Sequence, residues 1–320
     1  MNTGSAADGA SFAPFGYVGL AGTFGHVWGT PCGLSRAKPA TSGLQIQSGT
    51  DQARSSTLSP GSAKRVSKRD TARVGRLDGR RALITGASRG LGAGIARAFA
   101  SEGASLVLGA SDEFRLKERT DAETIAFDVT DAKAVQAGVD RAAELLEGLD
   151  CLVHAAGVDC EWAPVGEMTV ETWDETVQTN LSGTFYVCRA ALPHLIAAEG
   201  GSIVTMTSVA AYRVWPRDAA YNASKAGVDM LTRTIAVEYG SQGVRANCIA
   251  PGVIDGGMTD EVEDESERER LARSHAIPRL GLVEEVAEAA VWLASDASSF
   301  TSGSVLRVDG AFLDYSSSGE

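Results

Sequence analysis

The chain has 320 residues, 44% of them hydrophobic and 22% charged, and a net charge of −12 at pH 7. This is a globular composition, long enough for one large domain or two small ones. No apolar run reaches the ~18 residues that a membrane span needs. Five scattered cysteines without metal-type spacing argue against a disulfide scaffold and for a reducing compartment. Cys151, Cys188 and Cys248 read as small core residues. Residues 1–76 carry nine Lys/Arg against three Asp/Glu, and the remainder twenty against thirty-eight. The larger part is therefore acidic, which excludes nucleic acid and anionic membrane surfaces as natural partners.

Residues 1–74 are rich in Gly, Ser, Ala and Thr and show no sustained periodicity, so a disordered or loosely ordered extension is expected. It closes on a basic cluster, Lys64, Arg65, Lys68, Arg69, Arg73 and Arg76. Three readings of it stay open: an organelle transit peptide, a tail without function, or an interaction arm. Phe12 to Gly29 is too broken by Pro14, His26 and glycines to be a signal peptide, and no basic flank precedes it. A cytoplasmic location is expected, with the transit peptide left open.

From residue 75 onward a catalytic domain is predicted. Arg81–Thr85 reads as a strand, followed by a glycine turn and a helix over Ala93–Glu102. Further strands are predicted at 105–108, 124–127, 151–154, 202–207, 245–249 and 305–308. Helices are predicted at 135–147, 172–198 with a kink at Pro193, 221–239 and 284–293. Strands alternating with helices imply parallel strands joined by crossovers: an α/β, doubly wound, Rossmann-type sheet of about seven strands in a single domain. In such sheets ligands bind beyond the carboxyl ends of the strands. The glycine turn, Ser208 and Pro251-Gly252 all follow strands and so share that edge.

Two motifs carry the chemistry. Gly86, Gly90 and Gly92 end a strand and open a helix, where glycine backbone and a helix N-terminus suit a pyrophosphate. Tyr221 and Lys225 lie at i and i+4, on one helix face. An ammonium beside a phenol lowers its pKa from ~10 toward neutrality. Such a tyrosine can protonate a carbonyl oxygen or deprotonate an alcohol. Ser208 lies thirteen residues upstream.

With these motifs, and with Asp128-Val129, His154-Ala155-Ala156-Gly157, Asn180-Leu-Ser-Gly, Pro251-Gly252 and Val308-Asp309-Gly310, the chain from Leu77 to Phe312 resembles the short-chain dehydrogenase/reductases of ~250 residues. The resemblance implies roles. Tyr221 would be the acid/base, Lys225 its electrostatic partner and a ribose ligand, Ser208 a hydrogen-bond donor to the substrate oxygen, and Asn180 the support of a proton-relay water. Asp128 and Val129 would flank the adenine, and Gly157 would admit the cofactor. Ser88, Arg89, Leu91, Ser111, Ala155, Ala156, Pro251, Gly252 and Ile254 would complete the cofactor site. No metal is implied. A homo-oligomer, tetramer or dimer, would be built on helices near Thr172–Ala198 and Tyr221–Tyr239. Two departures stand out. His154-Ala155 replaces an Asn-Asn pair, and Gly256-Gly257 stands where a carboxamide-binding threonine is common, with Thr259 further on.

The position for a carboxylate that would bond a ribose diol is, by register, Ala110, followed by Ser111; neither is acidic. Arg89 can face a 2′-phosphate. Both favour NADP(H), while Asp112, two positions on, keeps NAD(H) open. The substrate pocket is expected between 158–165, 209–219 and 253–278, with Trp162, Tyr212, Arg213, Trp215 and Arg217 on its walls. The charged run Asp260–Arg273 reads as a lid or a solvated helix. The expected function is an NADP(H)-dependent oxidoreductase that interconverts a ketone or aldehyde and an alcohol on a small molecule. One alternative is a 3-oxoacyl-acyl-carrier-protein reductase, although Glu199 and Glu238 stand where basic residues would greet an acidic carrier. The other is a non-catalytic NADP-binding regulator.

Overall fold

The structure is a computed structural model of the chain and describes residues 75–112, 122–262 and 264–316. The expectations for residues 1–74 lie outside the described residues.

The elements in chain order are β1 (Arg81–Thr85), α1 (Gly90–Ser101), β2 (Ser105–Ala110), β3 (Glu123–Ala126), α2 (Ala132–Leu145), β4 (Cys151–His154), α3 (Val170–Val177), α4 (Gly183–Ala197), β5 (Gly201–Met206), α5 (Ala219–Tyr239), β6 (Val244–Pro251), β7 (Ile254–Asp255), α6 (Glu265–Arg273), β8 (Gly281–Leu282), α7 (Val283–Ala294) and β9 (Val305–Val308). Seven strands form one sheet in the order β3-β2-β1-β4-β5-β6-β9, and every pair is parallel. The expected doubly wound sheet is present.

Strand composition explains the layering. Successive side chains alternate between sheet faces. Ala82 and Ile84 of β1 enter the core under α1 and α7 with Ile95, Phe99 and Val291. Leu83 enters the opposite core with Val139, Leu152, Val187 and Leu195. Both faces are covered, which is why β1 reads as a continuous apolar run. Phe99 is fully buried; truncating such a side chain to alanine costs about 3–5 kcal/mol. Asp131 caps α2 by accepting from Lys133 N at 2.8 Å and Ala134 N at 3.1 Å. Those two backbone bonds hold its carboxyl below the usual range.

Two expectations need correction. The long helix over 172–198 is interrupted, not at Pro193, which lies within α4, but by a π-helical turn at Gln178–Ser182. That wide turn loosens the backbone at Asn180, whose carbonyl is taken by the Thr184 hydroxyl at 2.5 Å. Wide turns of this kind concentrate at functional positions. The region after β6 also holds a two-residue parallel ribbon, β7 with β8, too short to leave a periodic signature.

The sheet order reverses direction between β1 and β4. The crevice beyond those strand ends is where ligands bind in open α/β sheets.

Candidate active site

A cavity of about 880 Å³ opens at this crevice, within the usual range for ligand sites. Its floor is the turn from β1 to α1. Gly86 has φ +69°, and a Cβ there would lie 2.5 Å from Ala156 N. A Cβ on Gly92 would strike the Gly86 carbonyl. The turn therefore presses against the segment after β4 and opens α1 with bare backbone. Arg89 precedes α1 without a side-chain cap, so the helix start offers N–H groups and a positive dipole end to an anion. This cradle fits the diphosphate of a dinucleotide.

The predicted cofactor residues Gly86, Ser88, Arg89, Gly90, Leu91, Gly92, Ser111, Asp128, Val129, Ala155, Ala156, Gly157, Pro251, Gly252 and Ile254 all line the cavity. So do Ser208, Tyr221 and Lys225. Thr259 lines it as well, its hydroxyl donating to Ile254 O at 2.5 Å and accepting from Gly256 N at 3.0 Å. Asn180 stands behind the wall. It is 1% exposed; its Oδ1 accepts from Val158 N at 2.8 Å and its Nδ2 donates to Val158 O at 2.9 Å. A Cβ on Gly157 would lie 3.1 Å from Asn180 Oδ1 and 3.3 Å from Lys225 Nζ. The glycine keeps that corner open.

Lys225 is 5% exposed. Its Nζ donates to Met206 O at 3.1 Å and sits 5.4 Å from the Tyr221 ring centre. Burial holds its pKa down, to about 8. Tyr221 departs from the sequence expectation: its pKa is pushed up, not down. Burial is the main cause, the nearby Ser208 hydroxyl pulls downward, and the Asp159 and Asp218 carboxylates add to the rise. Desolvation of the phenolate outweighs the hydrogen bond from Ser208. The site thus favours a protonated phenol, a proton donor.

His154 ends β4 between Thr85 and Thr205 in register. Its Nδ1 is 2.7 Å from Thr85 Oγ1, and its Nε2 is buried without a hydrogen-bond partner. Burial, reinforced by the Lys225 charge, pushes its pKa to about 3. It is a neutral structural group, as its strand-end position suggests.

Among the residues expected on the substrate walls, Trp162 and Trp215 line the cavity. Tyr212 turns away and donates to Asp229 Oδ2 at 2.6 Å. Arg213 lies over the Phe312 ring at 4.7 Å, and Phe312 stacks on Trp215 at 5.7 Å with a 7° interplanar angle. The charged run forms α6, anchored to β7 by Arg268 and Asp255 at 2.5 Å; of its side chains Leu271 is buried and reaches the cavity. His275 links these loops: Nδ1 donates to Leu271 O at 2.9 Å and Nε2 accepts from Val253 N at 3.2 Å. Sequence reasoning missed Asp159 and Asp218, both on the cavity wall. The available signal was spacing: Asp218 precedes Tyr221 by three residues, about one helical turn.

A family model described as Enoyl-(Acyl carrier protein) reductase matches residues 86–312. A D-threitol dehydrogenase of Mycolicibacterium smegmatis is 38% identical over 245 residues, 74% of this chain and 94% of that protein. A 3beta-hydroxysteroid dehydrogenase 1 of Eggerthella lenta is 38% identical over 251 residues, 75% of this chain and 95% of its own. A 3-oxoacyl-acyl-carrier-protein reductase of Chlamydia trachomatis is 35% identical, covering 74% and 98%. Among solved structures, the aldohexose dehydrogenase of Thermoplasma acidophilum superposes with a TM-score of 0.72 at 29% identity, over 76% of this chain and 98% of its own. With the glycine cradle, the Tyr221–Lys225 pair and this breadth of similarity, the chain belongs to the short-chain dehydrogenase/reductase family, oxidoreductases that act on CH–OH groups and bind NAD(P)(H).

Proposed function

We propose that residues 75–320 form an NADP(H)-dependent oxidoreductase interconverting a ketone or aldehyde and an alcohol on a free small molecule. One observation carries this reading: Tyr221, Lys225 and Ser208 share a cavity whose floor is the Gly86–Gly92 turn. When bound, a nicotinamide supplies or accepts the hydride. Tyr221 donates its phenolic proton to the carbonyl oxygen during reduction and takes it back from the alcohol during oxidation. Ser208 orients the substrate oxygen beside the phenol. Lys225, held by Met206 O, stabilises the phenolate formed as the proton leaves. Asn180 holds Val158 and, through it, the opening at Gly157 where a relay water would stand.

NADP(H) is favoured because Ala110, which closes β2, and Ser111 after it carry no carboxylate, and Arg89 lines the same cavity. Asp112 also lines it and is the residue through which NAD(H) would be retained. Docking of an acidic acyl carrier is disfavoured by the Asp159 and Asp218 carboxyls at the substrate end. A regulator that only binds nucleotide would have no use for Ser208, Tyr221 and Lys225 together.

Assembly into a homo-oligomer is supported by exposed apolar side chains on three helices, Trp173 on α3, Phe185 on α4 and Met230 on α5. No helix among the described residues is long and apolar enough to cross a membrane. A cytoplasmic enzyme is in keeping with the four cysteines among the described residues, all of them free thiols.

The test is a panel of alcohols and carbonyls assayed with NADPH and NADH in parallel, on the wild type and on Tyr221→Phe. The expected outcome is turnover in the wild type and a loss of roughly 10²–10⁴-fold in the variant, the usual range for removing an acid/base group. Full turnover by Tyr221→Phe on the best substrate would end this assignment.

A further inference from the structure

Two carboxyl groups line the cavity that holds Tyr221. Asp218 occupies the N-terminal cap position of α5, 6% exposed. Asp159 follows Gly157 by two residues on the facing wall. Their carboxyls are in hydrogen-bonding contact, and both line the cavity with Tyr221. The arrangement is built rather than incidental. Ala163 and Asp218 form a parallel β-bridge, closed by Ala163 N donating to Arg217 O at 2.8 Å. Arg217 takes φ +71° to make that approach, a conformation that costs a non-glycine residue energy. Trp162 Nε1 donates to Asp159 Oδ1 at 3.1 Å and steadies it.

We propose that the Asp159–Asp218 carboxyl pair selects the substrate: a compound with a hydrogen-bond donor, a hydroxyl above all, beside the reacting carbon, against anionic analogues of the same shape. This rests on the oxidoreductase reading above and adds to it a substrate class. Two carboxyls in hydrogen-bonding contact hold a proton between them, and that bond consumes the only O–H, so toward the cavity the pair offers acceptor oxygens and one negative charge. Such oxygens accept from the O–H of an alcohol group and have nothing to donate to a carboxylate. The Asp218 pKa, raised to about 7 by burial and then by the Asp159 charge and hydrogen bond, accords with a shared proton. Trp162 and Trp215 line the same cavity with indole surface, suited to the C–H face of such a molecule. A substrate carboxylate would meet negative charge in a partly desolvated pocket, where like charges are screened little.

The test compares three probes of one shape: butane-2,3-diol, 2,3-dihydroxybutanoate and 3-aminobutan-2-ol. Each is assayed with NADP⁺ for turnover, and by calorimetry for binding to the enzyme–NADP⁺ complex. The expected result is a diol preference over the carboxylate of about 100-fold or more in kcat/KM or Kd, with the amine bound at least as tightly as the diol. Asp218→Asn should reduce the diol-to-carboxylate ratio at least tenfold. Asp159→Asn is the second variant should Asp218→Asn fail to fold, and a purely structural role would not change the ratio. Oxidation of diol and carboxylate with kcat/KM values within threefold sinks the selector and leaves the oxidoreductase reading standing. Selective binding of the diol without turnover of any alcohol sustains the selector and sinks the oxidoreductase reading. An amine bound at least tenfold more weakly than the diol, or no binding by any probe, overturns the proposal.

Discussion

The side-chain amide of Asn180 holds both backbone polar groups of Val158, at 2.8 and 2.9 Å. Asn180 sits in a π-helical turn on one side of the cavity wall, and Val158 sits in the loop after β4 on the other. The amide is thus a staple between the helix layer and the loop that carries Gly157 and Asp159. Its loss leaves a buried donor and acceptor unmet, a penalty of about 1–3 kcal/mol each. Asn180→Ala is expected to lower Tm by several degrees, roughly 2–4 °C per kcal/mol for a chain of this size. It should also cut kcat/KM at least tenfold. Asn180→Asp should fare no better, because one carboxylate oxygen would face the Val158 carbonyl. Thermal unfolding and steady-state kinetics check both variants; wild-type values in Asn180→Ala would remove the staple from the account.

The cofactor preference is testable at the end of β2. Ala110 closes the strand and is buried, and Ser111 follows it exposed. A carboxylate there would bond a ribose diol and repel a 2′-phosphate. Ala110→Asp should shift the ratio of kcat/KM for NADPH over NADH toward NADH by about tenfold or more, equal to about 1.4 kcal/mol. A ratio that stays put would place the discriminating contact elsewhere, with Arg89 the next residue to substitute.

His154 predicts a pH dependence of stability. Its pKa falls from 6.5 in an ordinary setting to about 3 in the fold. Below 6.5 the unfolded chain takes up a proton that the folded chain refuses, so the unfolded state binds more protons and stability declines as pH falls. The contribution is fully present above pH 6.5 and is lost progressively down to about pH 3. His154→Asn should flatten that part of the profile by an amount on the order of a few kcal/mol. Denaturant unfolding between pH 4 and 7 reads it directly. Parallel profiles in the wild type and the variant would mean that His154 does not titrate on unfolding.

The aromatic stack behind the substrate wall makes a fourth prediction. Phe312 touches Trp215, Arg213 and His275 at once. Phe312→Ala should cost about 3–5 kcal/mol of stability as a buried aromatic. It should also raise KM for the substrate by roughly fivefold or more, about 1 kcal/mol, with a smaller change in kcat and no change in cofactor Kd. A matching loss in cofactor affinity would show that the stack supports the whole cavity and not the Trp215 wall alone.

Much of this architecture was legible from pattern. β1, β4 and β9 match their predicted spans residue for residue, because each is a short apolar run bounded by turn or polar residues. The site was legible where backbone chemistry demands a residue type. Glycine is required where Gly86 abuts Ala156, and the four-residue spacing of Tyr221 and Lys225 is set by helix geometry. What could not be read were contacts made in space by residues distant in sequence. Asp159 and Asp218 are far apart in the chain, and their meeting depends on an irregular bridge at Ala163. The direction of the Tyr221 pKa shift depends on burial, which spacing does not report. The π-turn at Asn180 escaped because its sequence is compatible with an ordinary helix.

The tight approach of Gly86 to Ala156 has a consequence for how this protein can change. The nucleotide floor and the segment after β4 are locked against each other with no room for one more carbon atom, so neither tolerates remodelling alone. Among the described residues of the substrate walls, 158–165, 209–219 and 253–278, no glycine is pressed against the floor in this way. New substrate ranges should therefore arise by replacing wall loops over an unchanged floor. A library confined to those loops would retain cofactor binding in most of its members.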